Sequence, residues 1–336
     1  MNTRIKIKIL MIFLTLGIAF SGFAEIPDFS QLQKGVDDFS KDLAKSLPFN
    51  SALGLNWSDA YVGKLFPSLP PHFGVGVSFG ITTMDLPVMK TLAGYLGYKI
   101  PFGISKLAFP AYSAEARMGG IFLPFDVGFK IGYLPRLGMW GSSTNMDYLN
   151  VGGDLRYALL DFKLLKLSLG MGVNYLKGSI NGKAGSDQDI NFGFGGPTDS
   201  IRLEKPDVEL QWKTVSLDFK TQVSASLVIF TPYLGLGWSY AWSSAGYSVD
   251  SKVTRSGSSL TPSDLEDING YLRGQGLKEI NGDHAGISSI IKNKDFNVRA
   301  FGGVSFNMMA FKFDLTGLYS FRDSNYGASL GFRFQL

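Results

Sequence analysis

A period of two runs through this sequence from residue 72 to residue 336, and it constrains the fold more than any other feature. Phe73, Val75, Val77, Phe79 and Ile81 alternate with Gly74, Gly76, Ser78 and Gly80. Successive side chains of a strand take opposite faces, so this block reads as a strand with one apolar face. Nine further blocks repeat the pattern, near residues 112–119, 125–133, 149–159, 166–175, 208–230, 234–242, 296–306, 311–320 and 326–336. In the sixth block the apolar phase slips between Trp212 and Val215, which predicts a β-bulge. Soluble strands average about 5–6 residues, whereas a strand that crosses a membrane needs about 9–11. Most of these blocks reach roughly 10–16 residues, which fits the second class.

Connection lengths give an independent reading. The gaps run 83–110, 123–124, 136–147, 160–163, 179–206, 231–232, 250–293 and 307–308, alternating long and short, before a short last loop at 321–325. Outer-membrane barrels have an even strand number, short periplasmic turns and longer outer loops. The expected fold is therefore all-β: a transmembrane antiparallel β-barrel of about ten strands over residues 72–336, with twelve or eight as alternatives. An even count places both ends of the mature chain on the periplasmic side. Residues 91–100 would supply extra pairing in a twelve-stranded form. The stretch Asp85–Leu96 reads alternatively as a helix, with Asp85 as cap and Pro87 in its first turn.

The last eight residues, Ser329-Leu330-Gly331-Phe332-Arg333-Phe334-Gln335-Leu336, resemble the terminal assembly signal of bacterial outer-membrane β-barrel proteins. Gly331, Phe334 and Leu336 carry the likeness, although the family usually ends in Phe where this chain has Leu336. The resemblance implies recognition by the barrel-assembly machinery and residence among outer-membrane lipids. The whole pattern is faintly similar to the small surface barrels of spirochaetes.

The amino-terminal segment fits that destination. Arg4, Lys6 and Lys8 precede an apolar run from Ile9 to Phe20, and Gly22 and Ala24 bracket Phe23 ahead of Glu25. This is the layout of a cleaved signal peptide over residues 1–24. The leader also accounts for the basic balance. The chain carries 32 basic and 28 acidic residues, and three of the basic ones belong to the leader. The excess is thus largely an export label, and no nucleic-acid partner is implied. With no Cys in the chain, disulfides, thiolate metal sites and thiol catalysis are excluded.

Two regions remain for function. The polar phase of the strands places Glu115, Arg117, Asp126, Lys130, Asp154, Arg156, Lys166, Asp218, Lys220, Arg299, Lys312, Asp314 and Arg333 towards the lumen. Mixed signs suit either a closed ionic network or a narrow pore without strong ion selectivity. The lumen glycines, Gly74, Gly128, Gly172 and Gly235 among them, leave space for water or for another segment. Residues 25–71 offer one: Phe29, Leu32, Val36, Phe39, Leu43 and Leu47 recur at helical spacing and form an apolar stripe, ended by Pro48. An apolar stripe in water needs a partner. It is expected to act as a plug in the barrel mouth or as a periplasmic cap, with the inner leaflet and another chain as alternatives.

Chemistry is sparse. The outer-membrane barrels that are enzymes use paired acids with a His at the outer rim, or Ser, His and Asn on the lipid face. This chain has two His residues. His72 opens the first strand, and His284 reads as a loop residue beside Asp283, with Ser288 and Ser289 following. A flexible loop does not hold a triad. The Gly74-Val75-Gly76 run lacks the following helix of a dinucleotide loop. The acids of 187–199 offer at most weak calcium ligands. No catalytic, cofactor or metal site is expected. Trp238, Tyr240 and Trp242 suit an interfacial girdle. In the loop 250–293, Thr261 and Pro262 start a helix through Leu265, Ile268 and Leu272. The leading functional expectation is a small channel or carrier for solutes or hydrophobic molecules. The alternative is a closed structural or surface-binding barrel acting through loops 179–206 and 250–293.

Overall fold

The computed structural model describes residues 29–62, 72–85, 106–120, 124–138, 145–162, 164–183, 187–190, 201–255, 257–274, 279–280 and 282–336. The leader, residues 63–71 and the candidate pairing at 91–100 lie outside these. Of the candidate helix Asp85–Leu96, only Asp85 is described, as the last residue of the first strand. The elements are helix α1 (Phe29–Ser51), strands β1 (His72–Asp85), β2 (Lys106–Gly119), β3 (Phe125–Gly138), β4 (Asn145–Asp161), β5 (Leu165–Lys183), β6 (Gln188–Ile190), β7 (Ile201–Leu203), β8 (Asp207–Ala225), β9 (Phe230–Arg255) and β10 (Ser258–Ser259), helix α2 (Pro262–Gly274), and strands β11 (His284–Met308), β12 (Phe311–Ser320) and β13 (Asn325–Gln335).

Ten strands close into an antiparallel ring. Each of β1–β4 pairs with the next, β5 pairs with β8 and β8 with β9, β9 with β11, and β11 to β13 follow in turn. β13 returns to β1, with Val75 opposite Phe334. A closed ring leaves no strand edge unpaired, which a lipid environment demands. Its outer face is apolar: Phe79, Tyr133, Leu234 and Leu330 are each more than 60% exposed. Such side chains need lipid against them. The short turns at 120–124, 162–164, 226–229 and 309–310 gather at one end, the periplasmic end of such barrels. The longer connections gather at the other.

Several strands run further than the hydrophobic pattern. β9 reaches Arg255 and β11 begins at His284, and the two pair from Phe230–Phe306 up to Lys252–His284. Above the bilayer both faces of this ribbon are wet, so Ser, Asn, Lys and Asp replace the alternating apolar residues. The ribbon carries a small outer module. β7 and β10 pair with β9, β6 pairs with β7, and Ile201 and Val253 form a core with Ile268 of α2. Thr261 caps α2 as expected, accepting the Asp264 backbone N–H at 3.3 Å.

The bulge expected near Trp212 is not formed. β8 pairs without interruption on both sides from Asp207 to Ser224. Trp212, Thr214 and Ser216 all face inward, and Lys213 and Val215 outward. The apparent slip arises because polarity inverts near the outer rim, where the lumen is apolar and the exterior wet. Register shifts occur instead between Leu134 and Leu137 and between Ala158 and Leu160.

Candidate functional site

The lumen holds two layers. In the half towards the long loops, Met84, Leu107, Phe109, Leu176, Trp212, Phe301 and Leu318 point inward and are buried. They form one cluster with Phe39, Leu43, Leu47, Phe49 and Leu53. Helix α1 therefore lies inside the barrel, with its apolar stripe against an apolar wall. Val36 packs on the same cluster, and the side chains of Phe29 and Leu32 lie outside the described set. α1 does not stop at Pro48 but continues to Ser51. The Pro48 carbonyl still accepts the Ala52 N–H at 3.2 Å, and the buried Ser51 hydroxyl at 2.8 Å. Enclosure by the wall sustains this last turn, which Pro would end in water.

Below the helix, residues 52–62 continue without regular structure and are buried throughout. Their course is read off β8, which descends towards the short turns. Ser51 meets Ser216 at 3.3 Å, the Trp57 carbonyl accepts from Gln222 at 2.7 Å, and the Ala60 N–H donates to Ser224 at 3.0 Å. The segment thus runs down the lumen, from the long-loop end to the short-turn end. The first described residue, Phe29, thus lies towards the long loops, whereas the even strand count led to the expectation of a periplasmic amino-terminal end. The apolar helix wants the apolar layer, and the apolar layer is the outer one.

The lower layer is ionic, and all thirteen side chains expected to line the lumen are in it. Arg117 reaches Asp126 at 2.5 Å and Asp154 at 2.7 Å. Arg156 pairs with Asp126 at 2.7 Å, Lys220 with Asp154 at 2.6 Å, and Arg333 with Asp314 at 2.8 Å. Arg299 grips Asp218 through two bonds of 2.7 and 2.6 Å. Lys166 lies 3.7 Å from Asp161. These thirteen residues comprise eight cations and five carboxylates, so the wall alone carries a positive excess.

The threading segment absorbs that excess with its backbone. Lys130 donates to the Ser51 and Leu53 carbonyls at 2.5 Å, Lys220 to Leu55 at 3.1 Å and Arg156 to Asp59 at 2.7 Å. Lys166 donates to the Tyr61 carbonyl at 3.3 Å. The Asp59 carboxylate, the one charge within residues 52–62, meets Lys312 at 2.7 Å and Arg333 at 3.0 Å. Backbone donors serve the wall's acids: Leu55 N–H to Glu115 at 2.9 Å and Val62 N–H to Asp126 at 2.7 Å. Peptide groups are well suited here, because a buried charge left without hydrogen bonds is costly.

Trp57 is the central anchor. Its indole N–H donates to Glu115 at 2.6 Å, and its ring lies 4.7 Å from the Arg333 guanidinium. The space left by lumen glycines is filled this way. A Cβ on Gly74 would stand 2.8 Å from the Trp57 ring, and one on Gly119 would strike the Val62 carbonyl at 2.0 Å. Beside Trp57 lies a pocket of about 20 Å³, lined among others by Ser78, Glu115 and Arg333, with room for about one water. Asp59, Trp57 and the apolar upper ring were not singled out in the sequence. The signal for the upper ring was present in Phe109, Trp212 and Phe301, which break the alternation.

The terminal strand residues sit in the seam. Phe334 pairs with Phe311 and Val75, Gly331 lies over Asp314, and the Leu336 N–H donates to Phe73 at 2.9 Å. His284 corrects its expected loop setting. It opens β11, opposite Lys252, with Nδ1 2.8 Å from Asp250. Of the acids in 187–199, only 187–190 are described.

A closed ten-stranded ring, an apolar outer belt and an ionic interior define a bacterial outer-membrane β-barrel. The profile of the Lsa36-like family matches residues 139–336, and the chain belongs to that family. No curated protein matches it in sequence. Among solved structures it is similar to the outer membrane protease OmpT of Escherichia coli, at 9% identity and TM-score 0.37, covering 83% of this chain and 100% of that one. It is also similar to the translocator domain of the autotransporter NalP of Neisseria meningitidis, at 9% identity and TM-score 0.33, covering 90% and 97%. The toluene transporter TodX of Pseudomonas putida gives 6% identity and TM-score 0.24, covering 79% and 88%.

Proposed function

We propose that this barrel is closed at rest by its own residues 36–62 and works at its outer face, as a surface-binding protein. The observation that carries this reading is the filled lumen, with a helix in the upper layer and peptide groups of residues 51–62 bonded to the wall charges below. The working surface is then the outer module on β9 and β11, together with the upstream end of α1. The test is conductance of the full chain in a planar bilayer. The closed reading expects no steady current, and a stable open level in the intact protein would overturn it.

A second reading, a gated conduit for solutes, is supported by the irregular lower segment. Residues 52–62 hold the wall through single hydrogen bonds and one carboxylate, with no strand pairing to break. If they left, the eight wall cations would face those five carboxylates and Asp161, still a positive excess, and the pore would favour anions. A chain lacking residues 25–62 that conducts anions, where the full chain opens only under stimulus, would favour this second reading.

A further inference from the structure

The outward face of the barrel carries an unbalanced row of lysines. In β5, β8 and β11 the lipid-facing positions span ten residue steps, from Leu165 to Tyr175, Val215 to Ala225 and Phe296 to Phe306. At about 3.3 Å per residue and a tilt near 40°, such a span rises about 25 Å, the height of the apolar band of an outer-membrane barrel. The next outward residue beyond each span, towards the long loops, is a lysine: Lys177, Lys213 and Lys294. Lys292 follows Lys294 on the same face.

Strand register brings them together. Lys177 lies directly opposite Lys213, Lys213 opposite Ser244, and Ser244 opposite Lys292. Lys294 sits one step lower, opposite Trp242. Like charges directly opposed across strands are unfavourable, and among the described residues no carboxylate stands against them. None of the four has a carboxylate ion-pair partner among the described residues. The acids on nearby outward positions are engaged or distant. Asp147 accepts from Ser179, and Glu209 is two outward steps above Lys213. Beneath the row lie amphipathic rings, Tyr175 with Lys213 5.6 Å from its centroid, and Tyr240 edge-on to Trp242 at 4.9 Å.

We infer that Lys177, Lys213, Lys292 and Lys294 form a binding strip for the phosphate groups of an outer-leaflet lipid, whose acyl chains lie on the apolar belt below. The inference rests on the belt lying in the outer membrane. An anion with its own hydrocarbon suits the place, because the lysines stand at the border between lipid and water. It also explains why two lysines are opposed without a counter-charge of the chain's own.

The test uses the full-length protein, refolded in detergent, with diphosphoryl lipid A, phosphatidylcholine and inorganic phosphate as separate probes. Lipid retention is read by native mass spectrometry and thermal midpoint by heat-dependent gel mobility. The wild type is expected to retain diphosphoryl lipid A at least tenfold better than phosphatidylcholine. The fourfold variant K177Q/K213Q/K292Q/K294Q loses that preference, and the corresponding fourfold Arg variant keeps it. The Gln changes lie on an exposed face, and heat-dependent mobility in lipid-free detergent checks that the variant is folded. Equal retention by wild type and the Gln variant overturns the inference. Inorganic phosphate raising the midpoint as much as the lipid overturns the lipid as the ligand.

Discussion

The Trp57 indole N–H donates to the Glu115 carboxylate at 2.6 Å, across the lumen from a segment to its own barrel wall. Glu115 also accepts from the Leu55 N–H and from Ser113 at 2.9 Å each. One buried carboxylate thus fastens the segment twice, while the Trp57 ring covers Gly74 and faces Arg333. Trp57→Ala removes the ring, the bond and the cover at once. The expected cost is about 3–5 kcal/mol, the range for emptying a buried aromatic site. Trp57→Phe keeps most of the ring and should cost clearly less. Urea unfolding in detergent, followed by tryptophan fluorescence of the other four Trp residues and by gel mobility, gives the comparison. Equal loss for Ala and Phe would assign the effect to the hydrogen bond alone.

Asp59 neutralises Lys312 and Arg333 from within the segment. Asp59→Asn leaves both cations buried against a neutral amide. Removing one member of a buried pair typically costs about 3–5 kcal/mol. Part of that loss should appear as loosening of the lower segment and not of the barrel. The expected result is faster proteolysis within residues 52–62 and brief bilayer openings of anion preference, with unchanged heat-dependent mobility of the barrel. Absence of any opening would show that the remaining carbonyl contacts suffice to hold the segment.

The ten strands were legible because each crosses a slab with lipid on one side, and lipid imposes a strict period of two. The thirteen lumen charges were legible for the same reason. What failed did so where the slab ends. Trp212 looked like a slipped phase because the lumen turns apolar at the height where the exterior turns polar. Pro48 looked like a helix stop because its effect was judged against water and not against the wall that surrounds it. The polarity of the threading segment was not legible, since nothing local in Val36, Phe39 or Leu43 states which barrel layer is apolar. Only the register of β8, with Ser216, Gln222 and Ser224 met in descending order, fixes it.

Asp264 lies in the outer module and titrates in reach of solvent. The Thr261 hydroxyl and backbone N–H donate to its carboxylate at 2.6 and 2.8 Å, and Arg255 pairs with it as well. These bonds hold its carboxyl below the usual range, hydrogen bonding to Thr261 being the largest cause. A depressed folded value means that the cap contributes fully above the ordinary carboxylate pKa of about 3.9. The contribution is lost as pH falls through the lower folded value. Amide exchange in α2, corrected for intrinsic rates, should therefore accelerate roughly two- to fivefold on acidification below about pH 4, the modest size expected of a mostly exposed group. Asp264→Asn should show the faster exchange already at pH 7 and no acid dependence. A wild-type α2 indifferent to pH would remove the Asp264 carboxylate as a support of the Thr261 cap.

The direction of the threading segment makes a statement about the cell surface. α1 begins at the long-loop end of the lumen, so Phe29, its first residue, lies at the end opposite the turn at Leu227 and Val228. The even strand count would by itself put both ends in the periplasm, and the apolar upper ring overrides it by placing the helix high in the barrel. An epitope inserted between Glu25 and Ile26 should be bound by antibody on intact cells expressing the protein. The same epitope inserted at Val228, which is 97% exposed, should be bound only after the outer membrane is permeabilised. Heat-dependent mobility confirms that each tagged form is folded. An amino-terminal epitope reached only after permeabilisation would mean that the segment runs up the lumen and not down it. The contacts of Ser51, Trp57 and Ala60 with β8 would then have to be rebuilt in reverse order, with the apolar stripe of α1 against Glu115, Arg117 and Lys130.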